Sequence, residues 1–155
     1  MIFIEHLPGP GQIEHVFGQY VPGQFEHQLD DKGRLVLPSA FRERLAVGGY
    51  IAQGLDRCLA VWTPDDYQRE ADEMVERVKR GEVERNALRA LAANTFEIKP
   101  DAQGRIAVPP SLRTYAGLTK EVTVIGAFAS IELWDSAKWH QVNSSGGALL
   151  AGQDS

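Results

Sequence analysis

Residues 25–38 (FEHQLDDKGRLVLP) and 96–109 (FEIKPDAQGRIAVP) are two copies of one pattern set 71 positions apart. At that offset Phe25/Phe96, Glu26/Glu97, Asp30/Asp101, Gly33/Gly104, Arg34/Arg105, Pro38/Pro109 and Arg42/Arg113 are identical, where average composition supplies roughly one match. A tandem duplication limits the folds open to a chain more than any composition figure, because each copy is one supersecondary unit that cannot bury its apolar face alone. The copies must cover each other or be covered by further chains. A length of 155 residues with 43% hydrophobic content is enough for two halves sharing one core.

Each copy reads as strand, tight turn, strand, short helix, then two more strands. Phe25–Leu29 and Arg34–Leu37 flank Asp30-Asp31-Lys32-Gly33, a turn in which Asp bonds its own backbone and Gly supplies a positive φ, so a hairpin is expected. Pro38 suits a first helical position, and Phe41 and Leu45 fall on one face of a helix from Ser39 to Leu45. Tyr50–Gln53 and Cys58–Trp62 form a second expected hairpin, repeated as Glu121–Ile125 and Ile131–Trp134 with the offset now 72. Thr63-Pro64-Asp65-Asp66 signals a capped helix start with acids at the positive end of the dipole, and Asp135 takes the capping place in the second copy. Tyr67 and Trp139, again 72 apart, are expected to pack these helices onto the body. Between the copies, Val83, Ala87, Leu88 and Leu91 are spaced for a docked helix over 82–94. The expected units are a flexible leader (1–20), a first repeat (21–68), a helical linker (69–93), a second repeat (94–142) and a flexible tail (143–155).

Several function classes are disfavoured. No apolar run approaches the ~18 residues of a membrane span, and no basic side chain precedes Lys32, so a charged secretory n-region is missing. The single cysteine, Cys58, lies in an apolar run and reads as a buried thiol, which suits a reducing cytoplasm. Glu-His recurs at residues 5–6, 14–15 and 26–27, but without the i,i+4 spacing of helical zinc ligands, so neither metal nor cofactor is expected. Ser39 and His27 lack a nucleophile elbow and an orienting third partner, so no enzyme is expected. The net charge of −5 gives no support to wholesale nucleic-acid binding, which leaves local charge to decide.

Local charge converges only in the repeated turn. Asp30-x-x-Gly33-Arg34 and Asp101-x-x-Gly104-Arg105 place a carboxylate where it shapes the turn and an arginine at the exit. A guanidinium fork can read guanine O6 and N7 or clamp a phosphate. Arg42 and Arg113, at the helix that follows, are candidate phosphate contacts. Gly33 and Gly104 need no ligand to explain them, since a positive φ is sufficient. The arginines have no such explanation, and both copies keep them.

The repeated Asp-x-x-Gly-Arg-(apolar)3-Pro block, the Leu118–Val122 segment and the Ile131-Glu132-Leu133-Trp134 strand resemble the MraZ family of bacterial transcriptional regulators, over about residues 21–142. The family's Asp-x-x-x-Arg motif falls on Asp30 and Arg34, then on Asp101 and Arg105. The resemblance implies an α+β fold, mainly β with short helices, of two tandem AbrB-like swapped-hairpin (double-split β-barrel) repeats related by pseudo-two-fold symmetry. It also implies ring-shaped homo-oligomers that bind direct repeats of double-stranded DNA upstream of the division and cell-wall gene cluster, usually as repressors, in the cytoplasm at the nucleoid. The DNA-contacting residues it implies are Lys32, Arg34, Arg42, Arg105 and Arg113, supported by Asp30, Gly33, Asp101 and Gly104. Two departures stand out. Gln103 and Ala102 replace Lys32 and Asp31, so the turns cannot make equivalent contacts, and the leader precedes the usual family start, with Val21 an alternative initiator. The competing readings are an AbrB-like antitoxin or transition-state regulator with another operator, and an oligomeric protein-binding scaffold.

Overall fold

The computed structural model describes residues 19–152. In chain order these form β1 (Tyr20–Gln28), β2 (Arg34–Val36), α1 (Ser39–Arg42), β3 (Gly49–Gln53), β4 (Leu59–Trp62), α2 (Pro64–Lys79), α3 (Arg85–Ala93), β5 (Phe96–Ile98), β6 (Arg105–Ala107), α4 (Pro110–Ala116), β7 (Glu121–Phe128), β8 (Ile131–Asp135) and α5 (Ser136–Leu150). Six strands make one antiparallel sheet in the order β1-β7-β8-β4-β3-β5, and β2 pairs with β6 in a separate two-stranded ribbon. The order is palindromic. Exchanging each strand for its repeat equivalent returns the same sheet, which is the pseudo-two-fold symmetry of the duplication.

The first expected hairpin does not form. Its turn closes, with the Asp30 N–H on Arg34 O at 2.9 Å and the Gly33 N–H on Asp30 O at 3.0 Å, but the strands then part. β1 lies on β7 of the second repeat, Phe25 opposite Val124, and β5 lies on β3 of the first, Ile98 opposite Gly49. β2 crosses to β6, where Leu35 faces Ile106. The physical reason is burial: both residues are sealed in the common core, so the crossed pairing removes from water apolar surface that one repeat cannot cover alone. The second hairpins form as expected, Tyr50 opposite Trp62 in one and Val124 opposite Leu133 in the other. One continuous core joins Leu35, Leu37, Phe41, Leu45, Ile51 and Val61 to Ile106, Val108, Leu112, Val122, Ile131 and Leu133.

Helix starts follow their caps. Thr63 Oγ1 accepts the Asp66 N–H at 3.3 Å, and the Asp135 carboxylate accepts the Lys138 N–H at 3.1 Å. Tyr67 stacks on Tyr50 at 4.6 Å, and Trp139 meets Trp134 at 5.7 Å. α1 ends at Arg42, earlier than the expected Leu45, although Phe41 and Leu45 are both buried. α2 runs across position 68, so the first repeat's closing helix and the start of the linker are one element. Within the expected linker helix, α3 covers Arg85–Ala93 and docks through Leu91, while Ala87 stays exposed.

Both ends of the described segment differ from the sequence expectation. Residues 1–18 of the expected leader lie outside the described residues, but Tyr20 is in the core at 1% exposure, and its hydroxyl accepts the Thr63 N–H at 2.8 Å. An isolated aromatic after a Pro-Gly stretch carries no periodic signal, so only the tertiary fold brings it inside. Residues 143–150, expected as part of a mobile tail, instead continue α5 to Leu150. Asp135 caps this helix and Trp139 anchors it, and propagation then adds one backbone bond per residue on a nucleus already formed.

Candidate nucleic-acid interface

In both turns the carboxylate organises backbone and guanidinium together. Asp30 Oδ1 accepts the N–H groups of Lys32 and Arg34, each at 2.9 Å, and Oδ2 accepts Arg34 Nε at 2.7 Å. Asp101 does the same for Gln103, Arg105 and Arg105 Nε, at 2.9, 2.9 and 2.8 Å. Bonding Nε to a fixed carboxylate orients the plane of the guanidinium and leaves Nη1 and Nη2 pointing away. Neither Nη of Arg34 has a hydrogen-bond partner among the described residues, whereas Arg105 Nη2 donates to Gln103 Oε1 at 3.3 Å. These surface ion pairs add little stability, and their effect is to orient the arginine.

The backbone N–H bonds from Arg34 and Arg105, then the side-chain bonds from the same residues, hold Asp30 and Asp101 below the ordinary carboxylate pKa. A depressed pKa means that the turn's contribution is complete above the unfolded value and is lost as pH falls through the folded one. An NMR titration of the Lys32 and Arg34 amide shifts should therefore show a midpoint below the reference value of 3.8. A midpoint at or above it would mean that the carboxylate does not close the turn in solution.

The ribbon places the two arginines side by side. Arg34 lies opposite Ala107 and Val36 opposite Arg105, so all four side chains share one face while Leu35 and Ile106 point into the core. Diagonal neighbours of this kind sit roughly 7–8 Å apart. Lys32 is exposed at the tip of the first turn. Lys120, outside the sequence motif, accepts the Leu29 N–H on its backbone at 2.9 Å and so stands beside the same turn. Only the swap of β1 onto β7 brings it there; the Leu118–Val122 segment carried the family resemblance but did not place Lys120 beside the turn.

Arg42 and Arg113 are placed differently from a simple flanking contact. Arg42 Nε donates to Leu37 O at 2.9 Å, and Arg113 Nη1 donates to Val108 O. Each guanidinium also lies against the turn glycine of the other repeat: a Cβ on Gly33 would stand 2.6 Å from Arg113 Cζ, and one on Gly104 would stand 2.8 Å from Arg42 Nε. Both glycines have positive φ, +74° and +80°.

His27 and Ser39 make no hydrogen bond to one another, and burial, then the charge of Arg42, lowers the His27 pKa. Cys58 is buried, and that burial pushes its thiol up to about 12. Among the described residues no three His, Cys, Asp or Glu side chains converge as a metal site, and the Glu-His pairs at 5–6 and 14–15 lie outside those residues. No described helix is long and apolar enough to cross a membrane.

Two tandem repeats that exchange their first strands, cover one core together and present paired Asp-x-x-x-Arg turns on a two-stranded ribbon define an AbrB-like, swapped-hairpin protein. The family model described as "MraZ protein, putative antitoxin-like" matches residues 21–90 and again 91–147. A Kocuria rhizophila protein named Transcriptional regulator MraZ is 41% identical over 119 residues, covering 77% of this chain and 83% of its own. A protein of the same name from Kineococcus radiotolerans is 44% identical over 117 residues, covering 76% and 82%. The chain belongs to the MraZ family.

Proposed function

We propose that this chain is a sequence-specific, double-stranded-DNA-binding transcriptional regulator that acts as a homo-oligomeric ring on direct repeats upstream of the division and cell-wall gene cluster, as a repressor of its own operon in the cytoplasm. The observation that carries the reading is the ribbon with Arg34 and Arg105 on its outward face, each guanidinium oriented through Nε by its own carboxylate. A two-stranded ribbon fits the major groove, where an arginine fork reads guanine O6 and N7. Relatives named as transcriptional regulators support the same class.

A protomer with net charge −5 offers few cations to duplex DNA, and affinity grows with the number of phosphates neutralised. A ring multiplies the ribbons. Each bound repeat then raises the effective concentration of the next ribbon at the next repeat, so regularly spaced DNA elements match regularly spaced protein elements. The test is footprinting on the DNA upstream of this protein's own gene, with light scattering on the same sample. Protection of evenly spaced repeats is expected, by a particle several times the 17.1 kDa protomer. A monomer, or no protection at moderate salt, would overturn the reading.

A further inference from the structure

The two reading turns are held in place by opposite repeats. From Gly33 a continuous path runs through the other half: the Val108 N–H donates to Gly33 O at 2.9 Å, Val108 O accepts from Arg113 Nη1, and the Nη1 end of the Arg113 guanidinium occupies the space a Gly33 side chain would fill. From Gly104 the mirror path runs through the first half: the Leu37 N–H donates to Gly104 O at 2.8 Å, Leu37 O accepts from Arg42 Nε at 2.9 Å, and Arg42 lies against Gly104. Both loops thus close through one residue at the end of the partner repeat's ribbon strand and one arginine on the helix that follows it.

We propose that Arg42 and Arg113 are positioning residues, each bracing the reading turn of the other repeat, with Arg113 setting the Asp30–Arg34 turn and Arg42 the Asp101–Arg105 turn. As a structural assignment the brace stands by itself, and its consequence for specificity rests on the DNA reading above. A Cβ at either turn glycine would displace the guanidinium that lies there, on top of the strain of a positive φ. The crossing follows from the brace: an arginine acting in its own repeat would perturb its own turn, whereas these should perturb the other repeat's. A pure phosphate contact, by contrast, would weaken all DNA sequences alike.

Amide hydrogen exchange on the full chain tests this without DNA. Arg113→Ala should speed exchange at Lys32, Gly33 and Arg34 by roughly tenfold, the size expected for losing a charge-assisted bond that closes a local unit, and leave Gln103, Gly104 and Arg105 unchanged. Arg42→Ala should give the reverse pattern. Should either alanine variant not fold, Arg113→Lys and Arg42→Lys carry the same test, because an ammonium keeps the charge but not the forked guanidinium that reaches the carbonyl and fills the space beside the glycine together. Faster exchange in the same-repeat turn, equal loosening of both turns or no change would each overturn the brace. The DNA arm compares operator with scrambled duplex: Arg113→Ala should reduce sequence preference by the same factor as Arg34→Ala, and adding Arg34→Ala to it should reduce preference no further. A uniform loss on both duplexes would return Arg113 to the role of a phosphate contact. If footprinting fails while the crossed exchange pattern holds, the DNA reading falls and the brace remains.

Discussion

Tyr20→Ala should lower the unfolding free energy by roughly 3–5 kcal/mol, the range for truncating a buried aromatic. The side chain is 1% exposed, its ring carries the Arg44 guanidinium at 4.1 Å, and its hydroxyl accepts the Thr63 N–H at the start of α2. Arg44 in turn pairs with Asp66 at 3.1 Å, with both side chains nearly sealed from solvent. Removing the ring therefore opens a cavity and loosens the anchor of a buried ion pair, which is costly when its geometry is lost. Tyr20→Phe should cost about 1–2 kcal/mol, because it keeps the packing but strands the Thr63 N–H and removes the hydroxyl's own hydrogen bonding to Thr63 and Asp66. Burial pushes the Tyr20 hydroxyl up to about 12, so the phenol stays neutral at any ordinary pH. Urea unfolding followed by tryptophan fluorescence at fixed protomer concentration measures both variants. An alanine variant within 1 kcal/mol of the parent would put Tyr20 outside the core, and would restore the expectation of a flexible leader that reaches residue 20.

Arg34→Ala should weaken operator binding more than Arg105→Ala. Removing a bidentate guanine contact costs roughly 1–3 kcal/mol per engaged site and relaxes sequence preference there. The turns share a backbone and a carboxylate clamp but differ in what surrounds the fork. Among the described residues Arg34 has no partner on either Nη and has Lys32 at the tip, whereas Arg105 shares one Nη with the neutral Gln103. Arg105 therefore has one donor fewer to offer than Arg34. In a ring the per-site loss multiplies over every repeat bound, so the difference between the two variants widens with operator length. Titration of each variant against operator and scrambled duplex at one salt concentration decides the order, with light scattering confirming equal mass. Equal losses would mean that Lys32 and Gln103 do not distinguish the turns, and an Arg34→Ala protein with unchanged affinity would reduce the motif to a turn.

The geometry of the candidate turns was more legible in the sequence than the path of the chain around them. Asp30, Gly33 and Arg34 lie within five consecutive positions, and a turn of that length is governed by local chemistry: an aspartate bonding its own backbone, a glycine at positive φ, an arginine within reach of the carboxylate. The caps at Thr63 and Asp135 and the hairpins from Tyr50 and Glu121 were legible for the same reason. The partner of β1 was not. Alternation along Phe25–Leu29 states that one face is buried but not which strand lies beside it, and a short turn suggests the local hairpin by default. Lys120 and Tyr20 escaped because their roles depend on contacts with residues far away in the chain.

By itself, then, the sequence determined that two like units must each find cover for an apolar face, that each carries a closed Asp-to-Arg turn, and that helices begin at Thr63 and Asp135, since duplication, turn chemistry and capping can all be read along the chain. The exchange of first strands was implied by the family resemblance and by no local pattern; the tertiary structure fixed which strands meet, and it alone decided that Arg34 and Arg105 come to lie together on one ribbon face and that Arg42 and Arg113 reach across to the opposite turns. Those outcomes depend on which arrangement buries Leu35, Ile106 and Tyr20 at once, and burial is a sum over the whole chain that no local window contains.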